Sequence, residues 1–338
     1  MKTLLVALLG TAIFCQPVFA RPRSVLDMEL VEGAKKEQKL VLYITIDLPQ
    51  TIQVVHHFVQ KYSFLDLELH PLETETLVTR IQDEARSGMS TWDVVLGGGG
   101  LFQPLMEANL VASYHSPQRE AVSEALNDSE GYWSGYYINP YVLSYSTTLV
   151  KEAEIPKSYD ELLEPRWKGN RIAIDSTAHG LLRGLTLVWG EDKAVAYLKR
   201  LADQQPVMAR ASITAVDSMH TGKVAMVIAR APVIQGYKKK LQSPIDWVSL
   251  EPTVAQIDAV MLSSRSPHPN GARLFVDFVL SKEGQSALAG IQQIPVRRDM
   301  EPRLNTMPQG HQWFVERPDK HVNFYQTVRR FREIFGIQ

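Results

Sequence analysis

The sequence predicts an α/β protein of two lobes, and three observations lead there. The chain has 338 residues, more than one comfortable core and enough for two domains of roughly 150 residues each. Short continuous apolar runs bounded by turn residues alternate along it with amphipathic helical patterns. Its only cysteine, Cys15, lies in the N-terminal leader, so packing rather than disulfides has to stabilise the fold.

The elements follow in order. Lys2, the apolar run Leu4 to Phe14 and the Val18-Phe19-Ala20 ending read as an export signal over residues 1–20,. The run is shorter than the roughly twenty apolar residues of a membrane span. Phe14 stands where a lipid-attachment site before Cys15 would want a small residue,. Leu26 to Lys39 is predicted as a helix, and Leu40-Val41-Leu42-Tyr43-Ile44 as a strand covered on both faces,. Thr45, Asp47 and Pro49 then form a loop before a helix through Ile52, Val55, Val59 and Tyr62,. Leu67 and Leu69 alternate as a second strand, and Leu77, Ile81 and Ala85 mark a helix,. Asp93 to Leu96 is a third strand, running into Gly97 to Gly100 and a helix around Leu105 to Ala108,.

The aromatic stretch Tyr132 to Tyr145 ends in Tyr141 to Tyr145, which reads as a strand crossing between lobes. Tyr136 and Tyr137 suit hinge packing better than a ligand platform. A second series begins with Arg171 to Ile174, the turn Asp175-Ser176-Thr177-Ala178-His179-Gly180 and a helix through Leu182, Leu185 and Trp189,. Val224 to Ala229 and Trp247 to Leu250 are further strands, Ala259 to Leu262 a return strand, and Pro269 to Leu280 and His321 to Phe335 closing helices. The predicted division is lobe 1 over 21–140 and 260–338 and lobe 2 over 141–259. Such sheets take helices on both faces and bind ligands at the carboxyl ends of their strands.

With 22% charged residues and a formal net charge of −1, the composition is that of an ordinary globular protein without the basic excess that nucleic acid requires,. His56 and His57 are adjacent on a predicted helix and diverge by about 100°. The other histidines lack the close spacing of zinc sites,. No Gly-x-Ser-x-Gly elbow occurs and the carboxylates show no acid and base pattern, so no catalytic residue is assigned,. The four glycines 97–100 lack the lysine and hydroxyl residue of a phosphate-binding loop, which makes a tight turn their plain reading,.

Two features suit a ligand. Ser176, Thr177 and Ala178 form a strand-to-helix turn whose hydroxyls and backbone N–H groups could meet an anion, although Ser176 or Thr177 could equally cap its own helix. Arg230 ends the strand Val224 to Ala229, where a guanidinium could grip a carboxylate or phosphate, or make an ordinary surface ion pair,.

With these residues in place, the chain resembles the periplasmic solute-binding proteins of iron(III)-type importers, a family that includes binders of organophosphonates, phosphorylated sugars and thiamine. The likeness runs through Ala34 to Tyr43, Arg80-Ile81 with Glu84 and Gly88, Trp92 to Val95, Tyr132-Trp133, Pro156 to Leu163 and Pro165 to Gly169. It continues through His268-Pro269-Asn270 and Phe275 to Gln285, and covers nearly the whole mature chain. The resemblance implies a Venus-flytrap fold with two hinge crossings, periplasmic residence, action as a monomer, and an ABC permease with its ATPase as partners. It sets the loops after Tyr43 and Leu96 and the turn Ser176 to Ala178 around the cleft.

Ferric members of the family typically hold iron with two adjacent tyrosines at a strand end in the second lobe, helped by a histidine and an acidic residue from the first. Here that strand end reads Ile228-Ala229-Arg230-Ala231-Pro232, Asp47 falls where the histidine would be, and Gly98 where the acid would be. A cation in place of phenolates repels bare Fe(III) and attracts an anion. The first expectation is therefore capture of an organophosphonate, phosphate ester or carboxylate. In this reading Ser176, Thr177, Ala178 and Arg230 hold the acid group, and Thr45, Asp47, Gly98 and Tyr145 line the remainder. Asp47 could instead cap the following helix. The second expectation is ferric iron or a ferric chelate held by another donor set, for instance Asp47 with Tyr145 or Tyr237. A secreted hydrolase on the same fold is the third. No cofactor is implied.

Overall fold

The computed structural model describes residues 23–46, 48–300, 313–316 and 324–337. The export signal and Asp47 lie outside the described residues. The first half contains α1 (Arg23–Glu37), β1 (Lys39–Ile44), α2 (Leu48–Lys61), β2 (Asp66–Pro71), α3 (Thr74–Arg86), β3 (Val94–Gly98), α4 (Phe102–Glu107) and β4 (Val111–Ala112). The long β5 (Ser134–Ser146) then crosses to β6 (Ile172–Asp175), α5 (His179–Trp189), α6 (Glu191–Ala202), β7 (Val207–Ala209) and α7 (Ser212–His220). After β8 (Met226–Arg230), α8 (Ala231–Leu241) and β9 (Ile245–Val248), the chain returns along β10 (Thr253–Ser263). It ends with α9 (Pro269–Leu280), α10 (Lys282–Gly290), β11 (Ile294–Pro295), β12 (Trp313–Glu316) and α11 (Phe324–Phe335).

The strands lie in the order β2-β1-β3-β10-β5-β8-β6-β7. The outer strands are parallel, β1 to β2 and β3, and β6 to β7 and β8. β10 and β5 run antiparallel to each other, to β3 and to β8, while the short β12 joins β10 in parallel. These two are the hinge. Residues 134–140 of β5 pair with β10, and residues 141–146 pair with β8 and β9. Apolar side chains of β1, β3 and α9 such as Leu42, Val95 and Phe275 fill one core, and Ile174, Leu182, Leu198 and Phe331 belong to a second. The fold is the predicted Venus flytrap of two mixed α/β lobes.

Three differences from expectation have physical causes. The return strand spans eleven residues, because the polar Gln256 and Asp258 are paired in the sheet along with their apolar neighbours. The strand expected at Trp247 to Leu250 pairs two residues earlier, as β9. α11, expected to close the first lobe, packs on α5 and α6 of the second, where Phe331 is buried. Only its first turn stays with the first lobe, Phe324 lying against Gly100 and edge-on to His179.

The residues that carry the family resemblance are mostly joints. Glu37 at the end of α1 accepts from the Asn270 and Gly271 backbone N–H groups and from Asn270 Nδ2, capping α9 with a carboxylate where the helix dipole favours one,. The fully buried Asp93 accepts from Val41 N, Ser266 Oγ, His268 N and His268 Nδ1. Gln285, also fully buried, donates to the Tyr136 and Val279 carbonyls and accepts from Val296 N.

Candidate functional site

A cleft of about 860 Å³ opens between the lobes over the hinge strands. Its walls include Thr45 just after β1, Gly98 at the end of β3, Ser176 and Thr177 just after β6 and Arg230 at the end of β8. All five lie at carboxyl ends of strands, where open sheets bind ligands. β-strand alternation decides the floor. Tyr137 and Asn139 on β5 and Gln256 and Asp258 on β10 share one face and line the cleft. Asp258 is directly opposite Gly98 on one side and Tyr137 on the other, and Gln256 is opposite Asn139.

The floor is a hydrogen-bonded network. Asn139 Nδ2 donates to Asp258 Oδ2 at 2.5 Å, and Tyr141 Oη donates to Gln256 Oε1 at 3.5 Å. Burial pushes the Asp258 carboxyl up from the ordinary 3.8 to about 6, although Arg230, Asn139 and Tyr137 favour its ionised form,. Burial, with the Asp258 charge, holds the Tyr137 phenol well above its usual range.

Arg230 is the cation of the wall. Burial works against its charge, but Tyr141, Asp175 and Asp258 raise its pKa above the ordinary value, so it stays charged. Its guanidinium lies 6.0 Å from the Tyr141 ring centre, and its buried Nε has no hydrogen-bond partner. Tyr141 also hydrogen-bonds the guanidinium, while Asp175 and Asp258 act on it through their charges. Nearby, burial together with the charges of Arg230, Arg183 and Arg332 lowers the His179 imidazole to about 4, against a weaker pull from Asp175. His179 is therefore neutral at pH 7.

The turn at the start of α5 is built differently from the expected anion cradle. Ser176 N–H donates to the Ala209 carbonyl at 2.7 Å, and Ala178 N–H to the Asp175 carbonyl at 2.9 Å. Thr177 donates both its N–H and its hydroxyl to Asp175 Oδ1, at 2.8 and 2.7 Å, and Ser212 Oγ donates to Asp175 Oδ2 at 2.6 Å. The carboxylate of Asp175 thus takes both Thr177 donors, backbone carbonyls take the Ser176 and Ala178 N–H groups, and Ala178 is fully buried. The Asp-x-Thr spacing of an Asx turn was a signal for this in the sequence.

Of the residues selected from sequence, Thr45, Gly98, Ser176, Thr177 and Arg230 line the cleft. Ala178 and Tyr145 do not. Tyr145 pairs with Met226 and Asp246, four residues along β5 from Tyr141 and so about 13 Å further from the cleft,. Tyr136 packs in the core as expected, but its neighbour Tyr137 faces the cleft. Gln256 and Asp258 were missed, as was Asn139. Among the described residues no group of three or more His, Cys, Asp and Glu is arranged to hold a metal.

The cleft and its two hinge strands define a substrate-capturing protein of the two-lobed periplasmic type. Residues 90–315 match the family described as bacterial extracellular solute-binding protein, and the chain belongs to that family. The Fe(3+)-binding periplasmic protein of Serratia marcescens is 25% identical over 211 residues, 58% of this chain and 57% of that protein. Iron uptake protein A1 of Synechocystis is 24% identical over 207 residues, 56% of this chain and 54% of that one. The chain spans a little over half the length of the curated relatives it matches.

Solved structures agree over more of the chain. Iron-bound HitA from Pseudomonas aeruginosa superposes with a TM-score of 0.78 at 21% identity, over 88% of this chain and 99% of that one. The Trichodesmium IdiA (FutA) protein in complex with iron and citrate gives 0.71 at 18%, over 88% and 99%. AfuA from Actinobacillus pleuropneumoniae, with exogenous fructose-6-phosphate bound, gives 0.66 at 22%, over 88% and 96%. At these identities the likeness establishes the fold.

Proposed function

We propose that this chain is the periplasmic capture subunit of an ABC importer and that its cargo is an anionic ferric chelate, iron carried by a small carboxylate ligand. The observation that carries the anionic part is Arg230, a guanidinium that stays charged on the cleft wall with a buried Nε lacking any partner. A fixed cation there disfavours bare Fe(III) and favours a negative group. The names of the relatives weigh toward iron rather than toward the organophosphonates and phosphate esters of the first expectation. A chelate meets both considerations, since it brings its own donors and presents carboxylates. Ser176 and Thr45 on opposite walls add polar atoms to the contact.

Capture then works by closure. A ligand that touches both lobes stabilises the closed form through its differential affinity for it, and the closed form is what a permease with its ATPase recognises. The family is one of solute binders, and the site is read as binding without turnover.

The test is equilibrium binding of ferric citrate, iron-free citrate, ferric nitrilotriacetate, fructose 6-phosphate and 2-aminoethylphosphonate, followed by thermal shift. Stabilisation by ferric citrate supports the proposal. A visible phenolate-to-iron band with a bare ferric source would mean direct metal coordination, and stabilisation by the phosphoryl compounds alone would remove iron from the function.

A further inference from the structure

We propose that Asp258 is a second ligand-contacting residue of the cleft, the acceptor for a hydroxyl that the anionic cargo carries beside its acid group, so that the cargo is a hydroxy acid rather than a simple oxyanion. The inference rests on the anionic reading above and adds the chemical class.

Three observations carry it. Asp258 is a carboxylate on a central hinge strand, 6% exposed, and it lines the cleft rather than facing a core. One oxygen, Oδ2, accepts from Asn139, Tyr137 also hydrogen-bonds the carboxylate, and Oδ1 is turned toward Gly98, where the missing side chain leaves room for Oδ1 and the Gln256 amide. Arg230, on the neighbouring wall, is electrostatically coupled to Asp258. The two groups on one cleft surface suit a ligand that offers both an acid and a hydroxyl, because a carboxylate with two partners keeps further acceptor sites and Arg230 Nε has no partner,. Sites that satisfy a ligand hydroxyl discriminate strongly against analogues lacking it.

The groups facing Asp258 are Arg230 at the end of β8, Tyr137 and Asn139 on β5, Gln256 on its own strand and Gly98 on β3, while Tyr136 on the other face of β5 is coupled to it only through charge. Among them Arg230 and both phenols hold their protonation between about pH 5 and 8, given the directions of their shifts,. The carboxyl, raised to about 6, is the group that titrates there.

The experiment is calorimetric titration with two matched pairs, citrate against tricarballylate and glycerol 1-phosphate against propyl phosphate. Wild type, Asp258→Asn and Arg230→Ala are compared at about pH 7.5 and about pH 5, with circular dichroism to check folding. Wild type should favour the hydroxyl-bearing member by about tenfold or more in whichever pair it binds. Asp258→Asn should erase that preference while leaving the affinity for the member without the hydroxyl. If the variant fails to fold, the wild-type ratio at about pH 7.5 decides, where both members of a pair carry nearly the same charge. Equal affinity within the pairs, or a preference that survives Asp258→Asn, would overturn the role of Asp258 while the anionic reading stands. Binding of none of the four compounds, with or without ferric iron, would overturn both, and loss of both pair members in Arg230→Ala with the preference lost in Asp258→Asn would support both.

Discussion

Gly98 and Asp258 face each other where β3 runs antiparallel to β10, and a Cβ built at position 98 would lie 2.8 Å from Asp258 Oδ1. The same Cβ would overlap the Gln256 amide, so the missing side chain is what leaves room for both polar groups on the cleft floor. Gly98→Ala should therefore push these side chains out of place. Its expected cost is about 1–2 kcal/mol of stability by urea unfolding, together with cargo binding weaker by about tenfold. Unchanged affinity would mean that the floor does not touch the cargo.

Asp258 should destabilise the free protein near neutral pH. Its folded carboxyl is raised from 3.8 to about 6, so between those values the native state binds more protons than the unfolded one, and stability falls as the pH rises through that window. Above it the cost is on the order of 3 kcal/mol. Asp258→Asn is therefore expected to raise the urea midpoint at about pH 7.5, with the gain shrinking as the pH is lowered toward 4. A variant less stable than wild type at pH 7.5 would show that the ionised carboxylate is supported by more than Arg230, Asn139 and Tyr137.

Arg230 should matter for cargo more than for the fold. Its Nε makes no hydrogen bond, so truncation breaks only the contact of its guanidinium with Tyr141. Arg230→Ala is expected to weaken cargo binding by about tenfold to a hundredfold with circular dichroism unchanged. Arg230→Lys should recover only part of the affinity, since an ammonium keeps the charge without the planar fork. Full affinity in the alanine variant would remove Arg230 from the site.

Asp93 should be a pillar of the first lobe. Its two oxygens serve four donors from β1 and the segment before α9, at 2.6 to 2.9 Å, and the side chain is fully buried. Asp93→Ala would strand the Val41 and His268 donors and is expected to cost about 3–5 kcal/mol in urea unfolding. A loss near zero would mean that water replaces the carboxylate.

The boundary between what was legible and what was not follows burial and distance along the chain. Leu40 to Ile44, Asp93 to Leu96 and Val224 to Ala229 were readable as strands because both of their faces are covered and their apolar runs are unbroken,. Arg230 was readable because a charged residue ends such a run. Asp258 was not: one carboxylate between apolar residues has no periodic signature, and its importance comes from Gly98 and Asn139, far away in sequence. The turn at Ser176 to Ala178 is built differently from the expected cradle because Asp175 takes the Thr177 donors and the Ala209 and Asp175 carbonyls take the Ser176 and Ala178 N–H groups.

The sequence by itself thus determined the class of fold, the order of strands and helices, and the strand ends that meet at the cleft, since local hydrophobic period and turn chemistry carry that information. Only the tertiary structure decided the chemistry of the floor, because strand register alone sets Gly98, Asp258 and Tyr137 side by side on one face. It also decided the seat of α11, whose buried Phe331 is satisfied by the α5 and α6 surface rather than by the lobe nearest in sequence,.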